Sequence, residues 1–352
     1  MEMKIYFNKV VLLLAVIGAL NLSALAQIAA KTECADEKAK AKTVSFDKGK
    51  ASNAAFIPIS KINPPSEKAI ATVEKPTVSM RVCEGSVSVR GWQRNEVRVL
   101  VNGGKVGFIA KQPAADNKPS WIFIVEYDPK DKISGKKNEC LNGTDIEIEV
   151  PFGSNVDIKS SDEDVNIESV AKASVRNQRG NISLRDIREE AEVSSYGGGS
   201  VLAEDSSGRF TLKSSGGDIS ANRLRPLNFS DALRINSQGS GNVTLQNISH
   251  ANIEASSLSG ELVYLGALEG GGSYSFNTTN GTVTLFLPTS SSFQFNARMS
   301  GGASFNTTFP IKTSANNNLP KGARVITGVY GRGELATINL IAVSGSLRLQ
   351  KQ

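Results

Sequence analysis

From Val165 to Leu287 apolar and polar residues alternate in short bursts that keep returning in one phrasing. A Gly, Asp or Asn is followed by two or three apolar residues at alternate positions, a polar turn, then a second alternating run. The phrase reads Asp164-Val165-Asn166-Ile167, Asn181-Ile182-Ser183-Leu184, Asp218-Ile219-Ser220-Ala221, Asn242-Val243-Thr244-Leu245 and Thr282-Val283-Thr284-Leu285. Strict alternation is the period of a strand with one face buried. The copies end in corners such as Ser214-Ser215-Gly216-Gly217 and Ser257-Leu258-Ser259-Gly260, which carry turn chemistry.

Taking the first apolar residue of each copy as an anchor gives Val165, Ile182, Val201, Ile219, Val243, Leu262 and Val283, spaced by 17, 19, 18, 24, 19 and 21 residues. From Val165 further apolar residues fall at Ile167, Val170 and Val175. From Val243 they fall at Leu245, Ile248 and Ile253, at the same offsets of two, five and ten. A fixed period of this size predicts an all-β solenoid, a parallel β-helix-like stack of two-strand repeats of about 20 residues. Stacking would align Val165, Ile182, Val201 and Ile219 in one inward ladder, and Ile167, Leu184, Ala203 and Ala221 in another. Asn166, Glu168, Ser183 and Arg185 would face water. The extra residues Arg223 to Asp231, with Pro226, would bulge out as a loop. Gly and Asn at the corners would take the left-handed backbone of a sharp bend. An antiparallel β-sandwich also fits alternating strands with regular turns. The solenoid is preferred because the copies agree in phase.

The flanks are less regular. Ser86–Trp92 and Asn95–Val101 alternate and predict a hairpin or two strands of one coil. Trp121–Val125 and Asp145–Val150 follow as strands, with an exposed charged loop from Asp128 to Lys137. The predicted order is therefore a β segment over 78–150 capping the stack, then the repeats and closing strands over 151–352. The strands Thr337–Leu340 and Ser346–Leu349 are expected to close the far end. Residues 27–77, rich in Lys, Ala and Glu and broken by Pro64-Pro65, read as a flexible linker. Residues 1–26 read as a signal peptide: Lys4 and Lys9, an apolar run Val10–Leu20, and the small-x-small site Ala24-Leu25-Ala26 before Gln27. No later segment is apolar enough to span a bilayer as a helix. The expected location is extracytoplasmic: periplasm, cell surface or secreted.

Export permits disulfides. Cys83 and Cys140 lie in strand-like segments at the start of the folded part and are expected to pair, leaving Cys34 free or in an intermolecular link. Their spacing fits no zinc pattern.

Composition adds little chemistry. Aromatics make up 6% of the chain, and the net charge of +6 is spread over 40 basic and 34 acidic residues, which is no nucleic-acid signature. A lone histidine, His250, removes Ser-His-Asp and multi-histidine metal schemes, and is expected as a solvated turn residue. Gly197-Gly198-Gly199 and Gly270-Gly271-Gly272 lack a following Lys-Ser/Thr and read as corners, not phosphate loops. Asp162, Glu163, Asp164, Glu189 and Glu190 are the carboxylates that stacking could gather for calcium or acid/base work. Their place in turns favours plain solvation. No catalytic residue, metal ligand or cofactor site is predicted.

Gly91-Trp92-Gln93-Arg94-Asn95-Glu96-Val97-Arg98-Val99, Val156-Asp157-Ile158-Lys159-Ser160-Ser161, the Gly-Asp/Asn-Ile/Val repeats and the tail from Gly333-Glu334 to Leu349 resemble the bacterial putative-adhesin family, a domain-of-unknown-function family of exported β-strand repeat proteins. That resemblance implies a non-enzymatic β-solenoid of the cell envelope. Its partner would be an unidentified envelope protein or glycan. Self-assembly into an envelope scaffold, and a carbohydrate-active β-helix enzyme, are the other functions considered.

Overall fold

A computed structural model describes residues 65–113, 117–126, 140–316, 322–332 and 334–352. The predicted signal peptide, Cys34, the first part of the predicted linker and the whole of the predicted charged loop lie outside them.

The alternating runs form two stacks of parallel strands. Short strands make one sheet: Val165–Glu168, Ile182–Arg185, Val201–Glu204, Ile219–Asn222, Val243–Gln246, Glu261–Leu265 and Thr282–Leu287. Longer strands make the other: Asn155–Ser160, Lys172–Asn177, Glu190–Ser195, Arg209–Ser214, Ala232–Ser237, Asn252–Ser257 and Ser273–Thr278. The chain passes between the sheets at every corner, so each coil contributes one strand to each. This is a β-solenoid.

Register follows the anchors read from the sequence. Val165, Ile182, Val201 and Ile219 are ladder partners, as are Ile167, Leu184, Ala203 and Ala221. All eight are buried, because a parallel in-register ladder puts equivalent side chains on one face. The facing sheet supplies Val175, Val193, Leu212 and Ile235 in one inward column. Its other column holds Ala173, Ala191 and Phe210, where two small residues sit below a large one.

The two corners are built differently. After each of the first five short strands one residue turns left-handed: Ser169, Asp186, Asp205, Arg223 and Asn247, with φ from 50 to 61°. None is a glycine. A stacked column of glycines occupies the opposite corner, where the constraint is space. A Cβ on Gly199 would lie 1.8 Å from the Gly180 carbonyl oxygen; Gly217, Gly241, Gly260, Gly281 and Gly345 repeat the contact at 2.0–2.2 Å, each on the glycine carbonyl of the coil it stacks on. Beside this glycine column runs a buried polar one: Asn177, Ser195, Ser214, Ser237 and Ser257 end the long strands with side chains turned inward. Each donates to the carbonyl of its corner glycine, from 2.8 Å (Ser214 Oγ to Gly217 O) to 3.3 Å (Ser257 Oγ to Gly260 O). Carbonyls that face inward at a tight bend are thereby satisfied.

At one end the first coil is a single 16-residue strand, Thr77–Trp92. Its start pairs with Asn155–Ser160 in the long-strand sheet, and Val87–Arg90 pair with Val165–Glu168 in the short-strand sheet. The strand bends between them, with Gly85 at φ 107°. Cys140–Pro151 runs alongside it, and Cys83 is bonded to Cys140 with their Cα atoms 5.7 Å apart. Ser86–Trp92 and Glu96–Val101 do not pair with each other; Glu96–Val101 lies antiparallel on Cys140–Pro151. The Gly91–Val99 phrase spans the turn Gln93–Asn95 and the strand ends on either side of it, closed by Trp92 Nε1 donating to Glu96 O at 2.8 Å.

Two expectations need correction. Among the described residues the first strand is Ser66–Ala71, inside the predicted linker 27–77: it pairs antiparallel with Glu96–Val101 and covers an edge that would otherwise be open. The C-terminal strands also do not close the stack. Ala336–Ala342 inserts between Ser273–Thr278 and Phe293–Met299, and Ser346–Lys351 between Thr282–Leu287 and Ser304–Thr307. Their residues are those of an inner coil: Ile338, Leu340, Leu347 and Leu349 are buried, and Gly345 stacks on Gly281. The layers beyond carry the larger rings, Phe293, Phe295, Phe305, Phe309 and Tyr330, which pack together over the end of the core.

Candidate binding surface

Outward side chains of the long-strand sheet fall into three columns, because every coil presents three alternate residues in register. The first column alternates in sign: Lys172 Nζ lies 3.5 Å from Glu190 Oε2, and Arg209 Nη1 3.8 Å from Glu190 Oε1. Arg234 and Glu254 pair at 3.9 Å in the middle column. The third column contains Arg81, Lys159 and Arg176, then Ser194 and Lys213. For two coils beyond Glu254 all three columns are uncharged, with Ser273, Ser275 and Asn277, then Thr337 and Asn339, before Arg298 restores a charge in the third.

Four of the five carboxylates that stacking could have gathered are held in structural contacts. Asp162 pairs with Arg179, and Glu189 and Glu190 with Lys172. Asp164 Oδ1 accepts the Asn181 backbone N–H at 2.7 Å, Asn181 Oδ1 accepts that of Ser200, Asp218 Oδ1 that of Asn242, and Asn242 Oδ1 that of Glu261. Where a repeat opens on Asp or Asn, that side chain therefore clamps the coil stacked on it. At the other corner Asp205 binds Arg223, whose guanidinium holds the carboxyl below the ordinary carboxylate range, and Asp186 is lowered likewise by Arg188. Among the described residues no group of three or more His, Cys, Asp or Glu could hold a metal ion.

His250 is buried, not solvated. Its coil and that of Gly208 are separated by the coil whose corner bulges out, and the imidazole reaches back to Gly208 O at 2.7 Å. A carbonyl only accepts, so Nε2 carries the proton; Nδ1 has no partner among the described residues. Burial pushes the imidazole pKa down, against a smaller upward pull from the Gly208 carbonyl and Asp231. The unfolded chain then takes up a proton near pH 6.5 that the folded chain refuses. Stability is complete above that pH and falls below it, by up to about 1.4 kcal/mol per pH unit, until the folded-state pKa is passed. Denaturant melts between pH 7.5 and pH 5.5 check this; a His250→Leu variant should lose that part of the slope.

The two glycine triplets sit in corners. Gly199 belongs to the stacked column, while a Cβ on Gly198 would meet nothing within 4 Å. Gly270 and Gly271 lie against the Glu334 carboxylate.

Residues 74–324 match the model of the Toastrack family, DUF4097. The chain belongs to that family. As a Toastrack protein it also aligns, at 12% identity, with two solved structures. One is a "putative cell adhesion protein" from Clostridium sporogenes (82% of this chain, 100% of that one, TM-score 0.20). The other is a "putative adhesin" from Bacteroides fragilis (82% and 97%, TM-score 0.35). No curated protein matches this Toastrack chain.

Proposed function

We propose that the chain is an exported, non-enzymatic β-repeat protein of the cell envelope that binds a surface partner, a glycan or another envelope protein, in the manner of an adhesin. The observation that carries this reading is the division of labour in each coil. Inward positions are filled by aliphatic ladders and by Ser and Asn tied to corner carbonyls. Recognition then falls to the outward columns, which offer a long, regular array of polar side chains suited to many weak contacts in parallel. Membership of the Toastrack family agrees with a repeat scaffold. Export is supported by the N-terminal Lys4/Lys9, apolar run and Ala24-Leu25-Ala26, and independently by the Cys83–Cys140 bond, which persists in an oxidising compartment.

Cell fractionation with the full chain tests the location. The expected species is shortened at Gln27 and lies outside the cytoplasmic membrane; an intact precursor in the cytosol contradicts the proposal. An array of glycans and envelope proteins tests the activity. Saturable retention of the full chain supports a binding module, whereas glycan cleavage by purified chain contradicts it.

A further inference from the structure

On the long-strand sheet charge is arranged in two ways. Where Lys172, Glu190 and Arg209 stack, opposite charges face each other. One column away, Arg81 is the ladder partner of Lys159, and Lys159 of Arg176. Adjacent strands are about 4.8 Å apart, so three cations stand directly opposite one another, an arrangement that repels. All three are exposed, and no ion pair involves them among the described residues. Asp157, in the neighbouring column two residues before Lys159, makes no ion pair with them either.

These cations line an open groove of about 350 Å³ together with Ser161, Gln178 and Tyr196. That volume falls within the range of about 300–1,000 Å³ typical of small-ligand sites. Tyr196 is 59% exposed. The corner that follows it is Gly197-Gly198-Gly199, where no side chain rises beside the ring. An exposed aromatic plane next to uncompensated cations is a surface for a ligand that is flat and partly apolar on one face and negatively charged at its edge.

We propose that this groove binds the carboxylate-bearing sugars of an acidic polysaccharide. The chain of sugars runs along the stack, with its carboxylates on Arg81, Lys159 and Arg176 and one ring against Tyr196. Ser161 and Gln178 supply neutral hydrogen bonds to hydroxyls. The inference rests on the binding-module reading above and assigns it a ligand class and a place. A glycan is favoured over nucleic acid because the cation column is short and the net charge of +6 is dispersed.

The test is calorimetric titration of the full chain with oligogalacturonate, its methyl ester and single-stranded DNA. Oligogalacturonate is expected to bind saturably and more weakly as salt rises. The neutral ester should bind at least about tenfold less tightly, as should oligogalacturonate to a Lys159→Gln/Arg176→Gln variant. Tyr196→Ala should weaken the sugar several-fold, and Arg234→Gln, on the same sheet but paired with Glu254, should change nothing. The proposal is overturned by no saturable binding, by undiminished binding to the double variant, by an equal loss in Arg234→Gln, or by single-stranded DNA binding as tightly as the sugar. If the chain reaches the envelope but fails this titration, the groove assignment alone falls. If it binds the sugar yet stays in the cytosol, the envelope reading alone falls.

Discussion

Gly217→Ala is expected to destabilise the folded chain by about 3 kcal/mol, while the same change at Gly198, on the adjacent coil, shifts it by less than about 0.5 kcal/mol. The difference is one of space. A Cβ on Gly217 would lie 2.2 Å from the Gly199 carbonyl oxygen and 2.6 Å from that of Gly198, both backbone atoms. Relief requires the two coils to part at this corner. Gly217 also offers its own carbonyl to Ser214 Oγ at 2.8 Å, so movement there disturbs a buried hydrogen bond. At Gly198 the added methyl meets nothing. Guanidinium midpoints of the two variants decide the matter: a large shift for Gly217 alone, at unchanged m, is predicted. Equal shifts would mean that the column is not close-packed.

Loss of the Cys83–Cys140 bond is expected to cost more, about 4 kcal/mol in the chain-entropy account for a link across 57 residues. The bond joins the bend of the first strand, Thr77–Trp92, to the start of Cys140–Pro151, just where the ladder between them slips register at Val82, Glu84 and Ser86. Without it, the bend has only an irregular stretch of backbone pairing to hold it. Comparing melts of the full chain with those of a Cys83→Ser/Cys140→Ser variant measures the effect. A matching midpoint for the two proteins would contradict it.

Much of this architecture was legible because parallel in-register stacking preserves the phase of a repeat. Val165, Ile182, Val201 and Ile219 have the same offsets in sequence as in space. What could not be read were features set between coils. Ser195, Ser214 and Ser237 look like turn residues, since a hydroxyl bonded to a corner carbonyl is invisible to a hydropathy pattern. His250 looks solvated because it follows a polar turn; it is buried because the bulging corner between two coils opens room for a ring. The insertion of Ala336–Ala342 beneath Phe293–Met299 reverses sequence order in the stack, which a local pattern cannot report. At the outer surface, Lys159 and Arg176 appear in sequence as two charges 17 residues apart. Only the register with Arg81 makes them a column.

That register places every outward side chain, and a pairwise cross-link tests it most directly. In a Cys34→Ser background, Ser220→Cys and Thr244→Cys stand opposite each other on adjacent coils, whereas Ser220→Cys and Val263→Cys are separated by a whole coil. A short bifunctional thiol reagent should join the first pair rapidly and the second hardly at all. Equal cross-linking of the two pairs, or none in the first, would contradict the stacked-coil account on which the outward columns depend.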